Sequence, residues 1–388
     1  MSNNHVSSHD TSIESLFGIL DGEQSQEELI YASTGINFAA SNSEIARERE
    51  REYRDIEKHY VRKDGWLKTA KQLADMKAKS KDRGVGLRYL TLPAYYRLDV
   101  SLLLRSNLIE VTRQTSTGNP EEVYVAAFEA DPSKFGRMVG QTPGFKLFGA
   151  STIESALIDK NNEYYRQLRT LFPFDIVNLD LTTSLTPRHE GPYSRTMKAL
   201  DAVFELQAGC AHIWSMFLTF RNEPADWEVD ALDQLLGNLQ KNLDDFPPVQ
   251  DAFIAKYQVN TVRALRTSDE RQCISQAVSK WIVDRANSYK FKMHSFRGYR
   301  YARYNSGLDP YHIYKQIFVF EPADISNSHI PTRTLPIQSW TLSNLAACIQ
   351  SGKCIDVEDR LFHLSNGSWS SVFSELSAEV DNLCSLIQ

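Results

Sequence analysis

The sequence predicts an α/β fold, a mainly parallel sheet ending in an antiparallel hairpin, and three observations carry that reading. Between Leu87 and Phe220, short apolar runs alternate with helical segments, the mark of βαβ units. Those runs are too continuously apolar for strands with one wet face, so helices must cover both sides of the sheet. Near the end of this region, KMHSFRGYRYARY and YHIYKQIFVF alternate in the β manner and are joined by NSGLDP, which reads as a hairpin.

Taken in order, residues 1–42 are polar and read as a flexible arm, with one amphipathic patch from Ile13 to Leu20. Residues 43–83 form a helical extension, opened by a capping-box pair in which Ser41 precedes Glu44. Its run EIAREREREYRDIEKHYVRK reads as a solvated helix face and is assigned no chemistry. The main domain covers 84–321. Its first strand is Leu87 to Leu92, followed by the helix LDVSLLLRSNLI. A strand from Val123 leads into PSKFGRMVGQ, a helix begun by Pro132, whose fixed φ suits a first turn. Phe145 to Phe148 is the third strand, with IESALIDKNNEYYRQLRTLF read as one helix behind it. DIVNLDL is the fourth strand, SRTMKALDAVFELQAGC a helix, and AHIWSMFLTF the fifth strand. A helical insert spans about 225–289, longer than a simple crossover requires, and the hairpin follows. Residues 322–388 are a linker and two helices, Leu342 to Ser351 and Ser370 to Leu386.

Composition bounds the function classes. With 388 residues, 42% hydrophobic and 24% charged, the chain can bury an ample core. A net charge of -6 argues against a surface that is one polyanion-binding field, while leaving room for a local basic patch. Five cysteines without a CxxC pair give neither a disulfide framework nor a zinc site, and no metal is expected; a reducing cytoplasm fits. No secretory signal pattern and no run of about 18 apolar residues is present, so a soluble protein with no membrane contact is expected. GxSxG, HExxH and P-loop patterns are absent, which leaves hydrolase and nucleotide-triphosphatase readings without support.

The residues with chemical potential lie at strand ends. Asp180 closes a mostly apolar strand, where it either serves a site or caps the next turn through the amides near Thr182 and Thr183. Glu129 ends the second strand, with Asp131 two residues on; it either binds a ligand or faces water and caps the following helix. Asp99 follows the first turn and either faces a ligand or sits in the first turn of a helix, where its charge suits the dipole. Farther on, Lys290, Lys292, Arg297, Arg300 and Arg303 interleave with aromatic residues. Such a stretch can bind nucleic acid through phosphates and stacked bases, or be a half-buried strand with an aromatic core side and a charged wet side. The strand reading is favoured.

Five β-α units followed by an antiparallel hairpin resemble the class I S-adenosylmethionine-dependent methyltransferases. In that family an acid ending the second strand holds the ribose, which implies a cofactor role for Glu129, with Asp131 beside it. The turn after the third strand lies over the adenine, and GAS followed by Ile153 and Glu154 looks like that turn, which brings in Ser151 and Glu154. The acidic motif after the fourth strand resembles NLDL, which implies a catalytic position for Asp180; Asp99 would line the cofactor seat. One departure is large: the first strand runs into LTLPAYYRLDV, with Pro93 and Ala94 where the family has glycines and Tyr95 and Tyr96 beyond. Only glycine lets the backbone approach the cofactor closely. The resemblance therefore implies a degenerate, non-catalytic subunit that binds a nucleotide, a nucleic acid or protein partners of a multi-subunit complex. In overall style it is similar to accessory proteins of bacterial anti-phage defence loci. The alternative is an active S-adenosylmethionine-dependent methyltransferase acting on nucleic acid.

Overall fold

The structure is a computed structural model that describes residues 55–79, 86–93, 98–110, 123–141, 145–149, 151–181, 183–188, 194–303, 311–323, 337–351, 354–358 and 360–361. The predicted arm, the capping pair Ser41 and Glu44, the residues Ala94, Tyr95 and Tyr96, and the helix over 370–386 lie outside them.

The five predicted parallel runs are β1 (Tyr89–Thr91), β2 (Val125–Glu129), β3 (Lys146–Gly149), β4 (Ile176–Asp180) and β5 (Trp214–Arg221). The hairpin is β6 (Phe291–Arg303) and β7 (Tyr311–Pro322), and a short β8 (Ile355–Asp356) follows. All eight strands form one sheet in the order β3-β2-β1-β4-β5-β7-β6-β8. β1 to β5 are mutually parallel, β7 is antiparallel to β5 and β6, and β8 pairs parallel with β6.

Side-chain alternation gives the sheet two apolar faces. On one, Leu90, Val177, Leu179, Met216 and Leu218 meet a thick helical layer. That layer holds α5 (Ile153–Ile158), α6 (Glu163–Leu171), α7 (Arg195–Gln207), α8 (Val229–Asp245), α9 (Pro247–Tyr257), α10 (Val262–Ser268), α11 (Glu270–Ser288) and α12 (Ile337–Ser351). Aromatic rings seal it: Phe204 packs edge-on to Trp214 at 5.7 Å, and Trp214 lies 4.9 Å from Phe320. The segment predicted as one helix is two, α5 and α6. Asp159 takes the Asn161 amide in a local turn and Asn162 caps α6 by accepting from the Tyr164 amide, so the polar run DKNN supports a break better than continuation.

The opposite face carries Tyr89, Val125, Ile176, Phe217 and Ile317. It is covered by α3 (Leu98–Arg105) and by a helical segment made of α1 (Ile56–Val61), a π-helical turn (Arg62–Leu67) and α2 (Lys68–Lys79). Residues 55–79 of the N-terminal extension are thus part of the core and not a solvated appendage. Its stretch from Lys58 to Arg62, expected to face water, is buried. Trp66 stacks on Phe217 with ring centroids 5.7 Å apart and planes 8° from parallel. Gly65 lies so close to β7 and β6 that a Cβ there would stand 2.6 Å from Ile317 Cδ1 and 3.0 Å from Tyr299 Cε2. A side chain at position 65 would force Ile317 or the Tyr299 ring to shift.

Polar anchors add to this packing at the amino end of β4. Asp175 is 2% exposed and accepts from the Lys77 ammonium at 2.9 Å, the Arg88 amide at 2.7 Å and His212 Nε2 at 2.9 Å. The bond to Asp175 lifts His212 to about 10, and the Cys210 thiol adds to that. Burial opposes ionisation of Asp175, but His212, Lys77 and the Arg88 amide hold its carboxyl below the usual range.

The signs define a pH window. The raised His212 contributes fully below its ordinary 6.5 and loses that contribution as pH rises toward about 10. The lowered Asp175 contributes above its ordinary 3.8 and loses its contribution on acidification. Urea denaturation of the wild type and His212→Gln should therefore show the largest stability difference between about pH 4 and 6.5, shrinking steadily toward pH 10. A difference independent of pH would mean that the pair is not ionic.

Candidate functional site

Register places the strand-end acids on a common line. Thr91 of β1 pairs with Ala127 of β2 on one side and Asn178 of β4 on the other. Glu129 and Asp180 are each two residues further on, so both sit at the carboxyl edge at the same height, on the face that α1 to α3 cover. With β1 between them, their strands are about 10 Å apart. This edge, at a crossover in strand order, is where open α/β sheets seat ligands.

Asp180 does not stand open at that edge. Lys58 from α1 reaches it at 3.2 Å and Lys315 from β7 at 3.4 Å, one on each carboxylate oxygen. Lys315 is 1% exposed and its ammonium also lies 4.4 Å over the Trp66 ring. Burial alone would raise the Asp180 carboxyl; Lys315 and Lys58 outweigh it and hold the group far below the usual carboxylate range. Burial pulls Lys315 down to about 8, against the opposing pull of Asp180 and with repulsion from Lys58 and Arg62. Arg62 is 4% exposed, and among the described residues its Nε and Nη1 have no hydrogen-bond partner. Arg303 stands 3.9 Å from Asp55 at the edge of the same cluster. Among the described residues this is a buried charge cluster in which cations outnumber carboxylates.

Asp99, placed by α3, is drawn into a neighbouring network. It accepts from the Tyr89 hydroxyl at 2.6 Å, the Thr91 hydroxyl at 2.9 Å and the Asn178 amide at 3.1 Å. The Asn178 amide also donates to Tyr89 at 2.7 Å. Burial and the Asp99 charge push the Tyr89 hydroxyl well above its ordinary value, so it stays a donor. This network ties the first turn of α3 to β1 and β4.

The remaining predicted acids are used locally. Asp131 caps α4 (Pro132–Gln141), accepting from the Ser133 amide at 2.8 Å and its hydroxyl at 2.7 Å; those bonds keep its carboxyl low. Glu129 accepts from the Asp131 amide at 2.9 Å. Ser151 precedes the cap of α5, which is Thr152, and Glu154 lies in the first turn of that helix. The geometry brings Glu129, Asp131, Ser151 and Glu154 to the β2–β3 half of the edge and Asp180 to the β4–β7 half.

The basic strip of β6 is also internally paired. Lys292 meets Glu321 at 3.3 Å, Arg297 meets the Asp64 carbonyl at 3.0 Å, and Arg300 meets Asp269 at 3.0 Å and Asp356 at 3.1 Å. Lys290 occupies a left-handed turn position with φ 65°. Phe291, Tyr299 and Tyr301 are in the core, so their faces are not offered for stacking.

Sequence reasoning missed Lys58, Arg62, Lys315 and Asn178. A signal existed for three of them. Lys58, Arg62 and Trp66 recur every four residues on one helix face, and Lys315 falls on the apolar side of IYKQIFV between Ile313 and Ile317. A charge on the apolar side of a strand implies a buried partner.

Replacing Asp180 by Asn leaves Lys58 and Lys315 without their counter-charge. The expected loss of stability is about 3–5 kcal/mol. The double variant Asp180→Asn, Lys315→Met should recover part of it, as read by urea denaturation midpoints. An Asp180→Asn protein as stable as the wild type would return Asp180 to the role of an accessible site acid.

A family model described as PP_RS20740-like matches residues 151–313, from α5 to the start of β7. No curated protein matches the chain. A solved structure from Streptococcus thermophilus described as a hemolysin is similar at 10% identity and a TM-score of 0.30, over 70% of this chain and 72% of that one. A likeness of that size carries no functional argument.

Proposed function

We propose that this chain is a methyltransferase-like Rossmann protein that has given up methyl transfer and serves as a binding subunit for a nucleotide, a nucleic acid or partner proteins. Five parallel strands followed by an antiparallel hairpin in the same sheet match the layout that the methyltransferase resemblance implies, and this supports the Rossmann part of the reading. The observation that carries the functional part is the state of Asp180. An acid that orients a methyl acceptor must be free to accept a hydrogen bond from it. Here both carboxylate oxygens are engaged by lysines, one supplied by a helix packed over the edge. Asp99 is likewise engaged in a network of three side-chain donors. Pro93, two residues beyond β1, takes the place where the resemblance implies a glycine for close cofactor approach.

Calorimetric titration with S-adenosylmethionine tests this reading. The expected result is no saturable heat at ligand concentrations up to about a millimolar, the level of roughly -4 kcal/mol. A dissociation constant in the low micromolar range, about -8 kcal/mol, would favour the active enzyme instead.

A further inference from the structure

On the face of the sheet away from the Asp180 cluster, α7, α8 and α11 leave a cleft of about 240 Å³ between them. Trp281 of α11 forms part of its wall and is only partly buried. Across from it, Gln234 and Asn238 of α8 are one helical turn apart and so present two amides on one side. Both residues are exposed, and among the described residues neither amide has a hydrogen-bond partner. At the mouth, Lys198 of α7 is exposed and has no ion pair among the described residues.

Other polar groups that line the cleft are incompletely matched. Thr186 is 1% exposed, and among the described residues its hydroxyl has no hydrogen-bond partner. Arg285 and Asp201, both part-exposed, form a loose ion pair at 3.7 Å, too long for a hydrogen bond, and among the described residues neither Arg285 Nε nor Asp201 Oδ1 has a hydrogen-bond partner. Lys280 is paired with Asp284. Buried donors and acceptors without partners are costly, and a cleft that concentrates them is suited to a polar ligand.

We propose that this cleft binds an adenine nucleotide, as a free monophosphate or as an unpaired residue of a single strand. A planar ring stacks on the Trp281 indole, as bases do on aromatic side chains. The Gln234 and Asn238 amides each offer a donor beside an acceptor, which matches the donor and acceptor on adenine's edge. Lys198 at the mouth meets the phosphate. The site is independent of the carboxyl edge, and it stands whether or not that edge takes S-adenosylmethionine.

Calorimetry on the full chain with 5′-AMP, adenosine, 5′-CMP and a short single-stranded oligoadenylate tests it. Saturable binding of 5′-AMP, stronger than that of 5′-CMP, is expected. Trp281→Ala should weaken it at least about tenfold while Trp281→Phe keeps most of it. The exposed change Lys198→Ala should bring 5′-AMP down to the affinity of adenosine and leave adenosine unaffected. Tighter binding of the oligonucleotide than of 5′-AMP would identify a nucleic acid as the source, and equal binding a free nucleotide. No saturable heat with 5′-AMP or the oligonucleotide, or undiminished binding by Trp281→Ala, overturns the proposal. Equal affinity of adenosine and 5′-AMP for the wild type would overturn the role of Lys198.

Discussion

Strand β4 carries an acid at each end, and each acid holds a lysine from the N-terminal helical segment. Asp180 at the carboxyl end takes Lys58, and Asp175 just before the amino end takes Lys77. Nineteen residues of helix rise by about 28 Å, whereas the five steps from Asp175 to Asp180 cover about 16 Å. The helical segment therefore overruns this span of β4, and the two lysine side chains close the gap at its ends. Between these anchors Trp66 and Gly65 fit against Phe217, Ile317 and Tyr299, contacts that depend on the helix staying in place. Removing either anchor frees one end of the segment and uncovers part of an apolar sheet face.

The same clamp decides what the carboxyl edge can do. Lys315 and Lys58 neutralise Asp180, and Arg62 stands nearby with unpaired donors, so the edge presents a buried surplus of positive charge where the family resemblance implies an accessible acid. Holding Lys315 there has an energetic cost: burial first, and repulsion from Lys58 and Arg62 after it, lower its ammonium to about 8. A protein that needed Asp180 for chemistry would gain nothing from covering it this way. One that needs a fixed N-terminal segment over the sheet does gain.

Much of the fold was legible because continuous apolar runs and helical punctuation are local signals. PSKFGRMVGQ is the helix Pro132–Gln141, residue for residue, because Pro132 fixes its start. The hairpin was legible from its alternation. The break between α5 and α6 was misread because its cue is turn chemistry at Asp159 and Asn162 and not a change of period. The site was legible in position but not in state: Asp180 was placed at its strand end, yet its partners come from segments far away in the chain. The mixed-charge run that hid Lys58 and Arg62 carries enough Glu and Arg to look solvated, and its burial is set by a sheet face that local reading does not supply.

The most direct test of this account is a double-mutant cycle on Lys58→Met and Asp180→Asn, read by urea denaturation at neutral pH. If Asp180 anchors the N-terminal helix, the two changes should be strongly non-additive, with a coupling energy of about 1–3 kcal/mol. Additivity within about 0.5 kcal/mol would show that the pair does not hold the helix and would contradict the account.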